Sequence, residues 1–505
     1  MSVGCRWIVR SLKDPLKFDL TLDREARVEL SQQIYEQIKT AILSGRLKPG
    51  DRLSSSRELS EELSVSRPTV AVAFEQLSLE GYIEMRHGSG TYVQEGLSAA
   101  AAVKRKRGTV GKATRGRSNS DFRREAEQMS PSTRGMESPA LSFQYGIPAL
   151  EEFPNAEWSR LVGRISRNAS AGDLAMTGEA FGLVTLRHAI ADCLVRFRGL
   201  SIKPEQVIVV QGLNQGLDLV ARLHLNPGAV VAMEDPGYPL APRIFRANSG
   251  RVVPVGLDDQ GLHIEQLKGS SQALLNKAKL IYLTPSHQFP TGITMSLPRR
   301  LELLAWAKRS GAIILEDDFD SEYQGTGKPI PALMSLDTND QVIYSGTFNQ
   351  LMFPGIGVGY LIVPESLVPL YERGRRLLGE PVNLQLQQCL AEFILRGELE
   401  RHWRRTRVVY SERRQAFLDA LERYTSGLYT VRGEQCGVFV SVTFAGRMTT
   451  EAIIKKAAQK NLGLFSTRDF YSRSAAPERE FIFGFGALKE TAIVKGVKLL
   501  STILA

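Results

Sequence analysis

Apolar residues recur every fourth position at Leu30, Ile34, Ile38 and Ile42, a spacing that predicts an amphipathic helix closed by Gly45. Ser55 followed by Glu58 forms a capping-box pattern opening a short helix through Leu63, and Ser66 is placed to cap a third helix with Pro68 in its first turn. Only Ser64 and Val65 separate the two. Tyr82-Ile83-Glu84-Met85 and Thr91-Tyr92-Val93 flank Arg86-His87-Gly88-Ser89-Gly90, which reads as a hairpin with a basic, glycine-rich tip. Further on, short apolar runs at Val207 to Val210, Val230 to Met233, Leu280 to Leu283 and Ile313 to Leu315 alternate with helical segments. That alternation predicts an α/β domain with a largely parallel sheet.

Between these halves, residues 95–138 lack apolar periodicity and include AAAAVKRKRGTVGKATRGRSNS, which predicts a flexible basic linker. Lys104, Arg105, Lys106, Arg107, Lys112, Arg115 and Arg117 could add salt-sensitive phosphate contacts or merely keep a spacer soluble. A nuclear-import reading fits the composition but not the bacterial look of the domain before it. The expected boundaries are a helical and hairpin domain at 1–94, the linker at 95–138, and an α/β domain at 139–505.

Composition narrows the function. A chain of 505 residues with 23% charged positions is an ordinary multidomain globular protein, and the net charge of +10 favours a polyanionic partner. The cysteines at 5, 193, 389 and 436 have neither metal-ligand nor CxxC spacing, which points to reduced thiols. Charges at Arg6, Arg10, Lys13, Asp14 and Lys17 break any signal-peptide core, and no later segment is apolar for long enough to span a bilayer. A cytoplasmic protein without membrane contact is expected.

Two short helices joined by so tight a turn, followed by a hairpin, have the build of a winged helix-turn-helix. The run GRLKPGDRL, SSRELSEELSVSRPTV and EGYIEMRHGSGTYV resembles the GntR type of that domain, with Ser54 replacing a usual proline. The resemblance implies double-stranded DNA as partner. It gives Arg67 as the main base reader, with Arg57, Thr69, His87 and Gly88 largely positioning contacts, and Ser66 and Arg86 in the same helix start and wing.

In the C-terminal half, QYGIPALEEFP, FGLVTLRHAIADCL, QGLNQGLDL, EDPGYP, TPSHQFPTG, EDDFDSEY and YSGTFNQLMFPGIGVGY occur in an order that resembles fold type I aminotransferases, specifically the aminotransferase-like half of MocR regulators. That family uses pyridoxal phosphate. The resemblance implies that Gly212 and the amides of Leu213 and Asn214 face the phosphate, that Thr347 adds a hydroxyl, and that Asp317 pairs with the pyridine nitrogen. At the Schiff-base lysine position, however, stands Gln350, and an amide cannot form an imine. The phosphate-clamping arginine falls on Gly357, the tyrosine facing the ring oxygen on Phe319, and the arginine that grips a substrate carboxylate on Ile482. The family's YGDPxG is TGEAFG, with Thr177 at the tyrosine position, and its EFRY is Glu322-Tyr323-Gln324-Gly325. No lysine occurs between Lys328 and Lys455, so a register slip cannot restore the nucleophile. Loss of the clamp alone removes about 3 kcal/mol, roughly a hundredfold in affinity.

These features predict a DNA-binding regulator whose aminotransferase-like domain serves dimerisation, with possible exchange of winged helices between subunits, and effector sensing without transamination. Covalent pyridoxal phosphate is not expected, and non-covalent binding of it or of another small molecule stays open. The alternative is a pyridoxal phosphate aminotransferase with an atypical site. For Asp317 two readings stand: a pocket reused for another, cationic ligand, or strand-end carboxylates partly solvated and bonded to backbone amides. Tyr238 and His287 read as scaffold or dimer-interface residues.

Overall fold

The computed structural model describes residues 20–95, 120–129, 139 and 141–504, apart from 25, 27, 87–89, 176–178, 269–273, 324–329, 380, 426, 428, 434–436 and 473–475. It divides into two compact units on either side of residue 117.

In the first unit, α1 (Leu30–Leu43) buries Ile34, Ile38 and Ile42 as its period demands. Next come β1 (Arg52–Leu53), α2 (Ser56–Leu63) and α3 (Arg67–Leu79). The Ser55 hydroxyl accepts from the Glu58 amide while the Glu58 carboxylate accepts from the Ser55 amide, so the expected capping box forms. α2 ends at Ser64 in the left-handed region, φ 52°, which turns the chain directly into α3. Val70, Ala73, Phe74 and Leu77 of α3 close the core against α1. β2 (Ile83–Arg86) and β3 (Gly90–Val93) make the hairpin, and β1 adds to β3 as a third antiparallel strand that the sequence pattern did not announce.

The second unit begins with α4 (Asp121–Glu127), inside the segment expected to be linker. This corrects the 95–138 boundary: Ser120 caps the helix, and α4 packs on α9 below rather than leaving the segment without structure. The first strand is β4 (Leu141–Ser142), and α5 (Asn155–Asn168), α6 (Ala171–Ala175) and α7 (Val184–Arg198) lead into the main sheet. Its strands are β5 (Val207–Val210), β6 (Val230–Asp235), β7 (Arg251–Asp258), β8 (Gly261–Leu262), β9 (Ala278–Leu283), β10 (Ile313–Asp317), β11 (Val342–Thr347) and β12 (Gly359–Ile362). They lie in the order β5-β12-β11-β10-β9-β6-β7-β8. Pairs among β11, β10, β9, β6 and β7 are parallel, while β12 runs antiparallel between β5 and β11. Every residue of β5 and β6 is buried, because helices cover both faces. α8 (Gly212–His224) follows β5, and α9 (Ala241–Ala247) follows β6.

A smaller antiparallel sheet, β13 (Tyr429–Arg432), β14 (Phe439–Phe444), β17 (Glu480–Gly484) and β16 (Phe465–Ser466), packs around Phe417, Phe481, Phe483 and Phe485. β15 (Leu462–Gly463) pairs in parallel with β4 and ties the start of this unit to its small sheet.

Candidate DNA interface and cofactor-type cleft

Ser66 caps α3: its hydroxyl accepts from the Thr69 amide at 3.4 Å and shares a 2.7 Å hydrogen bond with the Thr69 hydroxyl. Both hydroxyls are therefore held at the helix start, where the uncompensated amides and the helix dipole favour an anion. Arg67 occupies the first helical position and is exposed, as are Pro68, Ala71 and Val72 on the same face. Arg57 on α2 is exposed and paired with Glu61 at 3.3 Å, a surface pair of low worth that a phosphate can replace. Arg86 is more constrained, lying 2.9 Å from Glu84 and 3.7 Å from Glu95, with its guanidinium 5.1 Å from the Tyr92 ring centre. His87 and Gly88 lie outside the described residues. Arg52 on β1 is a basic residue of this hairpin region that the motif reading passed over; its guanidinium nitrogen is 3.0 Å from where a Cβ on Gly90 would stand.

In the second unit, strand register brings the separated motifs to one edge of the main sheet. Asp317 at the end of β10 pairs with Ser345 of β11. Two residues later Thr347 pairs with Gly359 of β12, and Gly359 pairs with Val210 of β5, after which the chain turns through Gly212 into α8. Gly212 has φ 70°, a conformation that strains any residue with a Cβ. The Tyr238 hydroxyl donates to Asn214 Oδ1 at 3.3 Å, so Tyr238 borders this helix start. The Thr347 hydroxyl is within reach of the Val358 carbonyl at 3.5 Å and accepts from the Asn349 amide at 3.2 Å.

The acidic run that ends β10 and continues past it divides into distinct environments. Glu316 is fully buried, accepts from the Leu333 and Met334 amides and lies 3.5 Å from Arg300. Asp318 receives Arg198 at 2.9 Å, the Tyr344 hydroxyl at 2.5 Å and the Ser321 hydroxyl. Asp320 sits 2.6 Å from His287 Nδ1. Asp317 is 3% exposed, and its hydrogen bonds come from the hydroxyls of Tyr282, at 2.6 Å, and Ser345, at 3.2 Å. The reading of Asp317 as partly solvated and bonded to backbone amides is thus corrected. Burial, only partly offset by these hydroxyls, pushes its carboxyl up to about 7. Tyr282 was legible only as a buried tyrosine in an apolar strand, which needs a partner for its hydroxyl. Arg198 carried no local signal.

The residues do not fit a covalently held pyridoxal phosphate. Gln350 extends toward Gly146, with its Nε2 3.7 Å from where a Cβ on that glycine would stand. Its Oε1 is buried and accepts no hydrogen bond, as is true of the neighbouring Asn349 Oδ1. Gly357 has φ 59° and no side chain with which to clamp a phosphate. Phe319 packs against His287, Phe289 and Phe439, and Ile482 is fully buried in apolar core. Asp317, Thr347 and the start of α8 at Gly212, Leu213 and Asn214 lie along this one sheet edge.

A capped recognition helix with its hairpin, joined in one chain to an aminotransferase-type sheet, defines a helix-turn-helix transcriptional regulator with an aminotransferase-fold domain. Residues 30–93 match the bacterial regulatory proteins of the gntR family, and residues 152–472 match aminotransferase class I and II. The chain is 35% identical over 95% of both chains to the probable rhizopine catabolism regulatory protein MocR of Rhizobium meliloti. It is 31% identical to the HTH-type pyridoxine biosynthesis transcriptional regulator PdxR of Corynebacterium glutamicum, over 94% of this chain and 96% of that one. Among solved structures, Pyrococcus horikoshii kynurenine aminotransferase, in complex with PMP, aligns at TM-score 0.68 and 26% identity over 75% of this chain and 96% of its own. The chain belongs to the MocR-type regulators of the GntR family. Its GntR domain implies DNA binding, and among the described residues no helix is long and apolar enough to cross a membrane.

Proposed function

We propose that this regulator binds duplex operator DNA as a cytoplasmic homodimer and that its aminotransferase-fold domain does not transaminate. DNA is read by Arg67 at the start of α3, positioned by Arg57, Ser66, Thr69 and Arg86, with His87 and Gly88 at the hairpin tip. Dimerisation by the second unit pairs two reading helices for a palindromic site. The loss of enzyme chemistry is supported by Gln350, which the resemblance puts at the lysine position and whose carboxamide, beside Gly146, offers no amine to attack a carbonyl.

What remains at this sheet edge is a set of polar groups suited to a non-covalent effector. The buried, unpartnered oxygens of Gln350 and Asn349 are acceptors for a ligand's N–H or O–H groups, and leaving them unmet is costly. Mixing purified protein with pyridoxal phosphate, reducing with borohydride and mapping peptides by mass spectrometry tests the reading. No residue-specific pyridoxyl adduct is expected. A stoichiometric adduct at one lysine would restore the enzyme reading.

A further inference from the structure

A cavity of about 550 Å³ opens beside α9, lined by Arg243 and Arg246 and by Met129, Tyr145, Phe470 and Tyr471. Its volume suits a small organic ligand. α4 stands beside the two arginines. Glu125 is 9% exposed, and its Oε2 faces Arg243 at 3.8 Å and Arg246 at 3.6 Å yet makes no hydrogen bond. Charges held this far apart, with the arginines 37% and 42% exposed, attract only weakly. A second void of about 380 Å³, reached by Asp121, Arg124, Glu125 and Arg246, lies against the same helix. α4 thus borders two open depressions, and its seven residues are too few to hold a helix without docking on α9. One well-formed link, the Ser249 hydroxyl to Asp121 at 2.7 Å, fastens its start.

We infer that Arg243 and Arg246 form a binding site for a small molecule with an oxyanion head and an apolar body, and that Glu125 occupies the head position until such a ligand displaces α4. The arginine forks can make paired, charge-assisted hydrogen bonds to a carboxylate or phosphate that Glu125 does not make. The aromatic side chains and Met129 accommodate the body. Asp469 and the buried Glu234 also line the cavity, and the Asp469 carboxylate confines the head to the arginine end. Displacement unfolds a helix in the stretch of chain that leads from the DNA-reading unit, so ligand and linker conformation are coupled through one side chain. The cavity lining includes neither Asp317 nor Gln350, and its test uses no DNA.

The probes are 3-phenylpropionate and 2-phenylethyl phosphate, which share a phenylethyl body and differ in the head. Calorimetry on the full chain should find at least one binding to Glu125→Gln about threefold or more tighter than to the wild type, and about tenfold or more weakened by the double substitution Arg243→Gln with Arg246→Gln. The preferred probe identifies the head as carboxylate or phosphate. Hydrogen exchange over residues 121–127 of the wild type should speed up on saturation. The site is refuted if neither probe binds Glu125→Gln at about 10 mM, a ceiling already far weaker than paired arginine contacts allow. Equal affinity of wild type and Glu125→Gln refutes competition, and binding without faster exchange in α4 refutes displacement.

Discussion

Tyr282 and Asp317, on the adjacent parallel strands β9 and β10, are joined by a 2.6 Å hydrogen bond from the phenol to the carboxyl oxygen. The carboxyl lies in the position from which the related enzymes' resemblance would have it face a cofactor ring, yet its partners are neutral hydroxyls. It is a buried acid without a paired cation, and its protonation responds to pH where most carboxyls do not.

Because the folded-state pKa of Asp317 is raised to about 7, the folded protein holds that proton more tightly than the unfolded chain does. Its stabilising contribution is complete below the unfolded carboxyl value and is lost as pH rises through about 7. Glu234, also raised to about 7 by burial, acts in the same direction. Thermal melts of Asp317→Asn should therefore show a shallower loss of Tm between pH 5 and 8 than the wild type, a window spanning about the shifted values. An unchanged slope would mean that Asp317 ionises normally.

Arg67→Ala should cost about 1 to 3 kcal/mol of DNA affinity and relax base preference at one position of each half-site. Arg57→Ala should weaken all sequences alike and reduce the salt dependence. Fluorescence anisotropy on duplexes selected in vitro separates the two outcomes, and equal behaviour of both variants would contradict the assignment of a base reader.

Ser66→Ala removes the cap of α3 and the partner of the Thr69 hydroxyl. A loss of about 1 kcal/mol in stability is expected, measured by urea unfolding followed in the first unit. DNA affinity should fall as well, because Thr69 is released from its fixed rotamer. A stability change with affinity intact would assign Ser66 to folding alone.

Gln350→Lys should recover little imine absorbance with pyridoxal phosphate, since Gly357 and Phe319 leave the phosphate and ring oxygen without their partners. Titration monitored in the visible range reads the result directly. Strong stoichiometric imine formation would show that the cleft still receives the cofactor.

The helices and two hairpin strands of the first unit were legible because their signals are local: a four-residue apolar spacing, two serine caps and two short strands close in sequence. The parallel core was legible because strands covered on both faces are apolar along most of their length, as β5 is throughout and β6 is from Val230 to Met233. α4 was missed because its core-facing residue is Glu125, flanked by exposed Phe122, and so presents no apolar stripe. At the site, Asp317 and Thr347 could be placed from motif order. The environment of Asp317 could not, since Tyr282 and Ser345 reach it from neighbouring strands distant in sequence.

The antiparallel course of β12 beside β11 has a consequence for how this chain changes over time. The segment carrying Gln350 and Gly357 returns on itself, tied where Thr347 meets Gly359 and where the Phe348 amide bonds to the Val358 carbonyl. A loop closed by its own flanking strands keeps its path whatever its tip carries. Residues at that tip can change under mutation while the strands that present them keep their course.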